Sequence, residues 1–482
     1  MPIAWQNTTV RKLRHGVRGL LRRTFRWLLS RCFRFGSRRA ENMPFLHGFR
    51  RIIYEYQPLV DSVLCVLGLE EGSSPQGSRC SNAGNMDLLV ELLEKESQSP
   101  VFEEGVSYSL FKVAERGLVP AAEVLLRYGA DLNFEDPVSY YNPLHIAVLR
   151  NQPRMVQTLV RYGADVNKRD RIHESSPLDL ASEESERVPC LHVLLDLGAD
   201  VNAPDKNGKT ALLHALASSD GLTVCNTENI RLLLEKGADV QAATQDGETA
   251  VSSLVFLVKE ALEGTQKDAS EIGHFCLGVT RLLLAHGTDP SCCLASSDSE
   301  EDEEAGEASL TQTCLEYFDL LFPLAVLLLQ SGAPFYCSRH GARCWTGHCL
   351  IFARLRSALW ASSDPELVAE LLTKAELLLD LALVCSPFLP PHPAVDLPLM
   401  EQDSRFQWLL DLHGPSQDQD VGPPLLRCLC RAVIRHHLQP WHLENKVKAL
   451  PLPDTLKEYL LPSHKPCPKL GPDCFKPHHT LR

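Results

Sequence analysis

Cys337, His340, Cys344, His348 and Cys349 lie within thirteen residues, and thiols and imidazoles at such spacings are what a tetrahedral zinc site uses. The same stretch also reads as a degenerate repeat, in which His348-Cys349-Leu350 opens a helix and the cysteines pack with Trp345 as core. In the tail, His464, Cys467, Cys474 and His478 present similar ligand types, but a loose segment lacks the outer hydrogen bonds that orient metal ligands. Asn207-Gly208-Lys209-Thr210 ends like a phosphate-binding loop. The first glycine of that motif would fall on Ala203, and no strand precedes it, so the match is rejected. No Ser-His-Asp order, paired-carboxylate cleft or glycine-rich nucleotide loop stands out. No catalytic residue, cofactor or metal is therefore assigned; the expectation is a binding protein.

The most specific constellation is apolar and lies between Pro423 and Leu461. Leu426, Cys430 and Ile434 recur at i, i+4 and i+8, with Leu429 and Val433 in the same stripe, while Arg427, Arg431 and Arg435 ride the opposite side. Gln439-Pro440 stops that helix, because proline lacks the N–H and pushes its predecessor away from helical angles. Leu450-Pro451-Leu452-Pro453 must be extended, and Asp454 caps a last short helix holding Leu456, Tyr459 and Leu460. In this order the parts resemble a SOCS box, the adaptor module of cullin-RING ubiquitin ligases. The resemblance implies that Leu426, Cys430 and Ile434 bind elongin C of the elongin B/C pair. It also implies that Leu450, Pro451, Leu452, Pro453, Leu456, Tyr459 and Leu460 bind cullin 5. One departure is Leu425, where that module has Ser, Thr or Pro before the key leucine; here the prolines stand one step further back.

Ahead of this module the chain repeats itself. A phrase of the form aliphatic-Leu-Leu, two residues, Gly-Ala-Asp returns around Gly129, Gly163, Gly198, Gly237, Gly287 and, more weakly, Gly332. The first intervals are close to the ankyrin period of about 33 residues, and the later ones are stretched. The other half of the unit appears as Asn142-Pro143-Leu144-His145-Ile146-Ala147, Ser176-Pro177-Leu178-Asp179-Leu180-Ala181 and Thr210-Ala211-Leu212-Leu213-His214-Ala215. These are similar to the ankyrin Thr-Pro-Leu-His-x-Ala signature. Thr or Ser caps the inner helix, Pro is tolerated in its first turn, and Gly ends the outer helix in a left-handed conformation. One such unit cannot bury its apolar face alone, so the expected fold is all-α: an ankyrin-repeat solenoid of about six repeats, then a small helical SOCS box.

The expected organisation is a basic, disordered extension over 1–42, a capping region over 43–105, and repeats over 106–337 with an acidic loop at 296–306. A degenerate repeat and helical cap follow over 338–386, then a linker over 387–420, the SOCS box over 421–462 and a disordered tail over 463–482. Three insertions account for the stretched intervals. Ser218–Thr227 parts the helices of the fourth repeat, the charged stretch Lys259–Ile272 bulges from the fifth, and an acidic run follows Ser297 and Ser299, which are candidate phosphate acceptors. Pro365–Val384 predicts a long helix.

The formal net charge is −13, although residues 1–42 hold eleven Lys/Arg against the single acid Glu41. An acidic body argues against nucleic-acid binding, which needs clustered cations. Residues 17–35 alternate Leu, Phe and Trp with Arg, so membrane-surface contact, a targeting leader and a plain extension all remain open. Seventeen scattered cysteines and no signal peptide suggest reduced thiols and a cytoplasmic location.

A repeat solenoid followed by this module resembles the ankyrin repeat and SOCS box protein family, over most of Met43 to Leu461. The family implies a non-catalytic substrate receptor of a cullin-5 RING ubiquitin ligase. An unknown protein client would lie on the repeats, while elongin B, elongin C, cullin 5 and its RING partner are recruited by the terminal module. Tyr140, Tyr141, Arg169, Arg171, Lys206 and Asn207 lie at finger tips and are the candidate client contacts.

Overall fold

The computed structural model describes residues 47–69, 82–263, 266–289, 308–337, 341–361, 365–385, 426–438 and 443–461. The chain divides after Pro58, and of the part before it only the opening of helix α1 (His47–Val66) is described. The rest is built from helix pairs. After α2 (Asn82–Glu96) come α3 (Phe102–Arg116) with α4 (Val119–Arg127), α5 (Pro143–Leu149) with α6 (Pro153–Arg161), and α7 (Pro177–Ser182) with α8 (Val188–Asp196). Then follow α9 (Ala211–Ser218) with α10 (Thr227–Glu235), α11 (Ala250–Glu263) with α12 (Gln266–Ala285), and α13 (Leu310–Glu316) with α14 (Phe318–Gln330). A two-stranded antiparallel hairpin, β1 (Tyr336–Cys337) and β2 (Gly341–Thr346), leads into α15 (Gly347–Ala361) and α16 (Pro365–Cys385).

The pairs stack into two rows. The first helix of each pair packs on the first helix of the next, from α3 through α15, and the second helices form a parallel row from α2 through α16. Between the rows runs one continuous apolar core, with Leu110, Leu144, Met155, Leu159, Leu191 and Leu212 almost wholly withdrawn from solvent. Each described unit packs chiefly on its neighbours, as in a solenoid. No described helix is long and apolar enough to cross a membrane.

Local sequence explains the helix ends. Asn142 accepts from the backbone N–H of His145 and Ser176 from that of Asp179, each within a reciprocal capping box. Thr210, at the equivalent place, makes no such side-chain bond, and its hydroxyl is buried without a partner. At the far end of α6, Gly163 sits at φ +104, where any Cβ would be strained, and Ala164 N–H returns to the Leu159 carbonyl at 3.0 Å. Adjacent repeats are tied by asparagine. The Oδ1 of Asn167 accepts from Asp200 N–H at 2.9 Å, and that of Asn202 accepts from Asp239 N–H at 2.8 Å.

Two insertions behave differently. Ser218–Thr227 does separate α9 from α10, folded around Asp220, whose carboxylate accepts from Leu222, Thr223 and Val224 N–H. Lys259–Ile272, expected to bulge, instead lengthens α11 and α12, with residues 264 and 265 outside the described set. Ala261 and Ile272 are buried, so extending the helices gains apolar contact that a charged loop would forgo. The acidic run with Ser297 and Ser299, the segment 1–42 and the tail with His464, Cys467, Cys474 and His478 lie outside the described residues.

The cysteine and histidine cluster takes the shape of a repeat unit. Cys337 is buried in β1, Cys344 is exposed on β2, and the His348 ring stands edge-on to Phe335 at 5.0 Å. His340 lies outside the described residues, and among the described ones no three His, Cys, Asp or Glu side chains converge to hold a metal.

Candidate functional site

Among the described residues, three short helices follow the stack: α17 (Leu426–Leu438), α18 (Leu443–Ala449) and α19 (Asp454–Leu460). They fold around a small core of Val447 and Leu460, flanked by half-buried Leu438, Leu450, Leu452 and Leu461. Helix α17 packs on α16, continuing the second row of the solenoid. Leu450–Leu452, expected to be extended, instead turns tightly between α18 and α19, with Leu450 N–H meeting the Val447 carbonyl at 3.1 Å and Leu452 N–H that of Leu450 at 2.8 Å. Asp454 is the first residue of α19 rather than its cap.

On α17 the usual sidedness is inverted. Cys430 is exposed, and Val433 and Ile434 are 49% and 39% exposed, whereas Arg431 and Arg435 are buried. Leu426 begins the same helix, one turn before Cys430. A run of apolar side chains facing water beside buried arginines is an interaction surface awaiting a partner. The second set of expected contacts divides. Pro451, Pro453 and Leu456 are exposed, and Leu450 and Leu452 are half-buried in the small core. Leu460 is withdrawn altogether, and Tyr459 lies under the Arg431 guanidinium, 4.4 Å from its carbon to the ring centroid.

The repeat fingers turn on Asp136, Asp170 and Asp205, each of which accepts backbone N–H bonds within its own finger. Tyr140 is held at φ +57 by its N–H bond to the Asp136 carbonyl, a conformation that aromatic residues resist. Tyr141 is half-buried against His145, and burial, with nearby Asp170 and Glu183, pushes its hydroxyl up to about 12. Not every finger cation faces outward. Arg169 bonds the Glu174 carbonyl and pairs with buried Asp179 at 3.5 Å, so it braces the finger. Arg171 stays exposed while bridging to Glu135 of the previous finger at 2.6 Å. Lys206 reaches the Ile172 carbonyl, and the Asn207 carbonyl accepts from Gln245 N–H of the following finger at 2.9 Å. Val138, 72% exposed, and Ile172, 42% exposed, are apolar tips that sequence reasoning missed. Their sequence signal was an apolar residue two places after Asp136 and Asp170, where the third finger has Asn207 after Asp205.

Buried His145 and partly buried His214, beneath the fingers, couple the stability of this region to pH. Burial lowers His145 to about 4, against weaker upward pulls led by Asp170. Its folded value lies below its unfolded one, so its contribution is complete above about pH 6.5 and is lost as pH falls towards 4. The expected loss is about 3 kcal/mol. His214 is opposite in sign. Burial alone would lower it, but the Glu183 hydrogen bond and the charges of Asp179 and Glu183 prevail and raise it. Its stabilisation is present at acidic pH and disappears as pH climbs through that raised value. Replacing His145 with Gln should flatten the acid limb of a stability-against-pH curve measured by urea unfolding. An unchanged limb would refute the assignment.

Comparison with known proteins agrees with this arrangement. The SOCS box family model matches residues 422–461, a model of three ankyrin repeats matches 78–170, and one of many ankyrin repeats matches 178–222. Ankyrin repeat and SOCS box protein 6 of Homo sapiens is 55% identical over 428 residues, covering 88% of this chain and 98% of that protein. The proteins of that name from Pongo abelii and Mus musculus are 55% identical over the same shares of both chains. Ankyrin repeats joined to a SOCS box define a substrate adaptor, and a SOCS box implies association with a ubiquitin ligase. The chain belongs to the ankyrin repeat and SOCS box protein family.

Proposed function

We propose that this protein is the non-catalytic substrate receptor of a cullin-5 RING ubiquitin ligase. The observation that carries the reading is the outward stripe of Cys430, Val433 and Ile434 on a helix whose Arg431 and Arg435 are buried. With Leu426, this stripe inserts into elongin C of the elongin B/C pair. Pro451, Pro453 and Leu456, with the exposed edges of Leu450 and Leu452, lie against cullin 5, and Tyr459 and Leu460 hold that surface in shape. The RING partner brings a ubiquitin-loaded conjugating enzyme. The protein client sits across the fingers, on Tyr140, Val138, Ile172, Arg171, Lys206 and Asn207. The catalytic gain is positional, since client lysines are held near the thioester at high effective concentration. The working location is the cytoplasm, in keeping with scattered cysteines.

The test is reconstitution. The full chain, co-expressed with elongin B/C and mixed with cullin 5 and its RING partner, should purify as one assembly. A chain lacking 422–461 should recover none of the four. Recovery that survives the deletion would overturn the reading, and so would failure of the intact chain to recover elongin B/C.

A further inference from the structure

The inversion of α17 leaves its arginines to be explained. Arg431 is 8% exposed and Arg435 is 5% exposed, and both face α19. Arg431 lays its guanidinium on the Tyr459 ring, and its Nε is buried without a hydrogen-bond partner. Stacking on the ring, rather than that nitrogen, is therefore what orients the group. The Nη1 of Arg435 donates to the Leu460 carbonyl at 2.7 Å. That carbonyl belongs to the last turn of a seven-residue helix, where carbonyls have no intrahelical partner. A cation placed there satisfies an orphan acceptor and opposes the negative end of the helix dipole.

So short a helix does not stand alone in water. Among the described residues, the apolar core beneath it has Val447 and Leu460 fully buried, and apolar contact is not directional. A planar guanidinium stacked on one ring, and a second bonded to one carbonyl, do specify an angle. We propose that Arg431 and Arg435 are positioning residues that lock α19, and with it the Leu450–Pro453 segment, at a set angle to the outward stripe of α17. A partner on the stripe and a partner on the segment are thereby held in one geometry. This inference rests on the reading of those partners as elongin B/C and cullin 5.

The test uses purified complexes of the full chain with elongin B/C, titrated with cullin 5. The unaltered chain must bind both, and if it does not, the underlying reading fails whatever the arginines do. The double variant Arg431→Lys with Arg435→Lys keeps both charges but loses the planar fork. It should recover elongin B/C at unchanged stoichiometry while its dissociation constant for cullin 5 rises about tenfold. Tyr459→Ala should weaken cullin 5 to a similar degree, and adding Arg431→Lys to it should cost nothing more, because the two side chains act as one contact. Cullin 5 affinity within about twofold of the unaltered chain in the lysine variant overturns the proposal. Parallel loss of elongin B/C overturns it too, because the arginines would then support α17 itself. A further loss in the Tyr459→Ala background overturns the stacking assignment.

Discussion

Recovery of elongin B/C with this chain should fall by about a hundredfold or more when Cys430 becomes Arg and Ile434 becomes Asp. Both positions face solvent, so the new charges cost the free chain little, and the fold should melt as before. The cost appears on binding, where a charge driven into an apolar pocket without a partner must shed its water. Residues four apart on a helix are neighbours, so the two substitutions put charge on successive turns of the stripe. Quantitative co-purification checks the result, with thermal unfolding of the same samples as the folding control. Undiminished recovery from a well-folded variant would mean that adaptor binding occurs elsewhere.

The second large effect is on stability, in the middle of the stack. Leu191 on α8 is wholly buried within the continuous core. Leu191→Ala should cost about 2–5 kcal/mol, because its helix is held between α6 and α10 of the neighbouring repeats and the cavity cannot readily collapse. In a solenoid, stability is a sum of repeats and nearest-neighbour interfaces, so the cavity should also uncouple the two sides and broaden the denaturant transition. The terminal module lies at the far end and touches the stack through α16. Elongin B/C capture at low temperature should therefore persist. A sharp, unshifted transition would show that the repeats around Leu191 rearrange freely. Loss of capture would show that the module depends on the whole array.

Sequence and structure part company at identifiable residues. Arg431 and Arg435, opposite an apolar stripe, read as a solvated face by every amphipathicity rule. Their burial follows from where Tyr459 and the end of α19 come to lie, about twenty-five residues further on. Arg169 likewise reads as a free finger cation until Asp179 is placed beneath it. The charges of Lys259–Ile272 suggested a loop because composition counts residues without asking which face they occupy. The two helices carry Lys259, Glu260, Lys267 and Glu271 outward and keep Ala261 and Ile272 inside.

By itself the sequence determined what is periodic or stereochemically compelled. The glycine closures, the inner-helix caps at Asn142 and Ser176, the leucine seam and the helix stop before Gln439-Pro440 follow from local backbone physics. Only the tertiary structure decided which side of each amphipathic element is covered. That side depends on contacts between residues far apart in the chain, and no local pattern encodes them. Hence the outward stripe of α17 was expected from the module it resembles, while the burial of Arg431 and Arg435 on the other side was not.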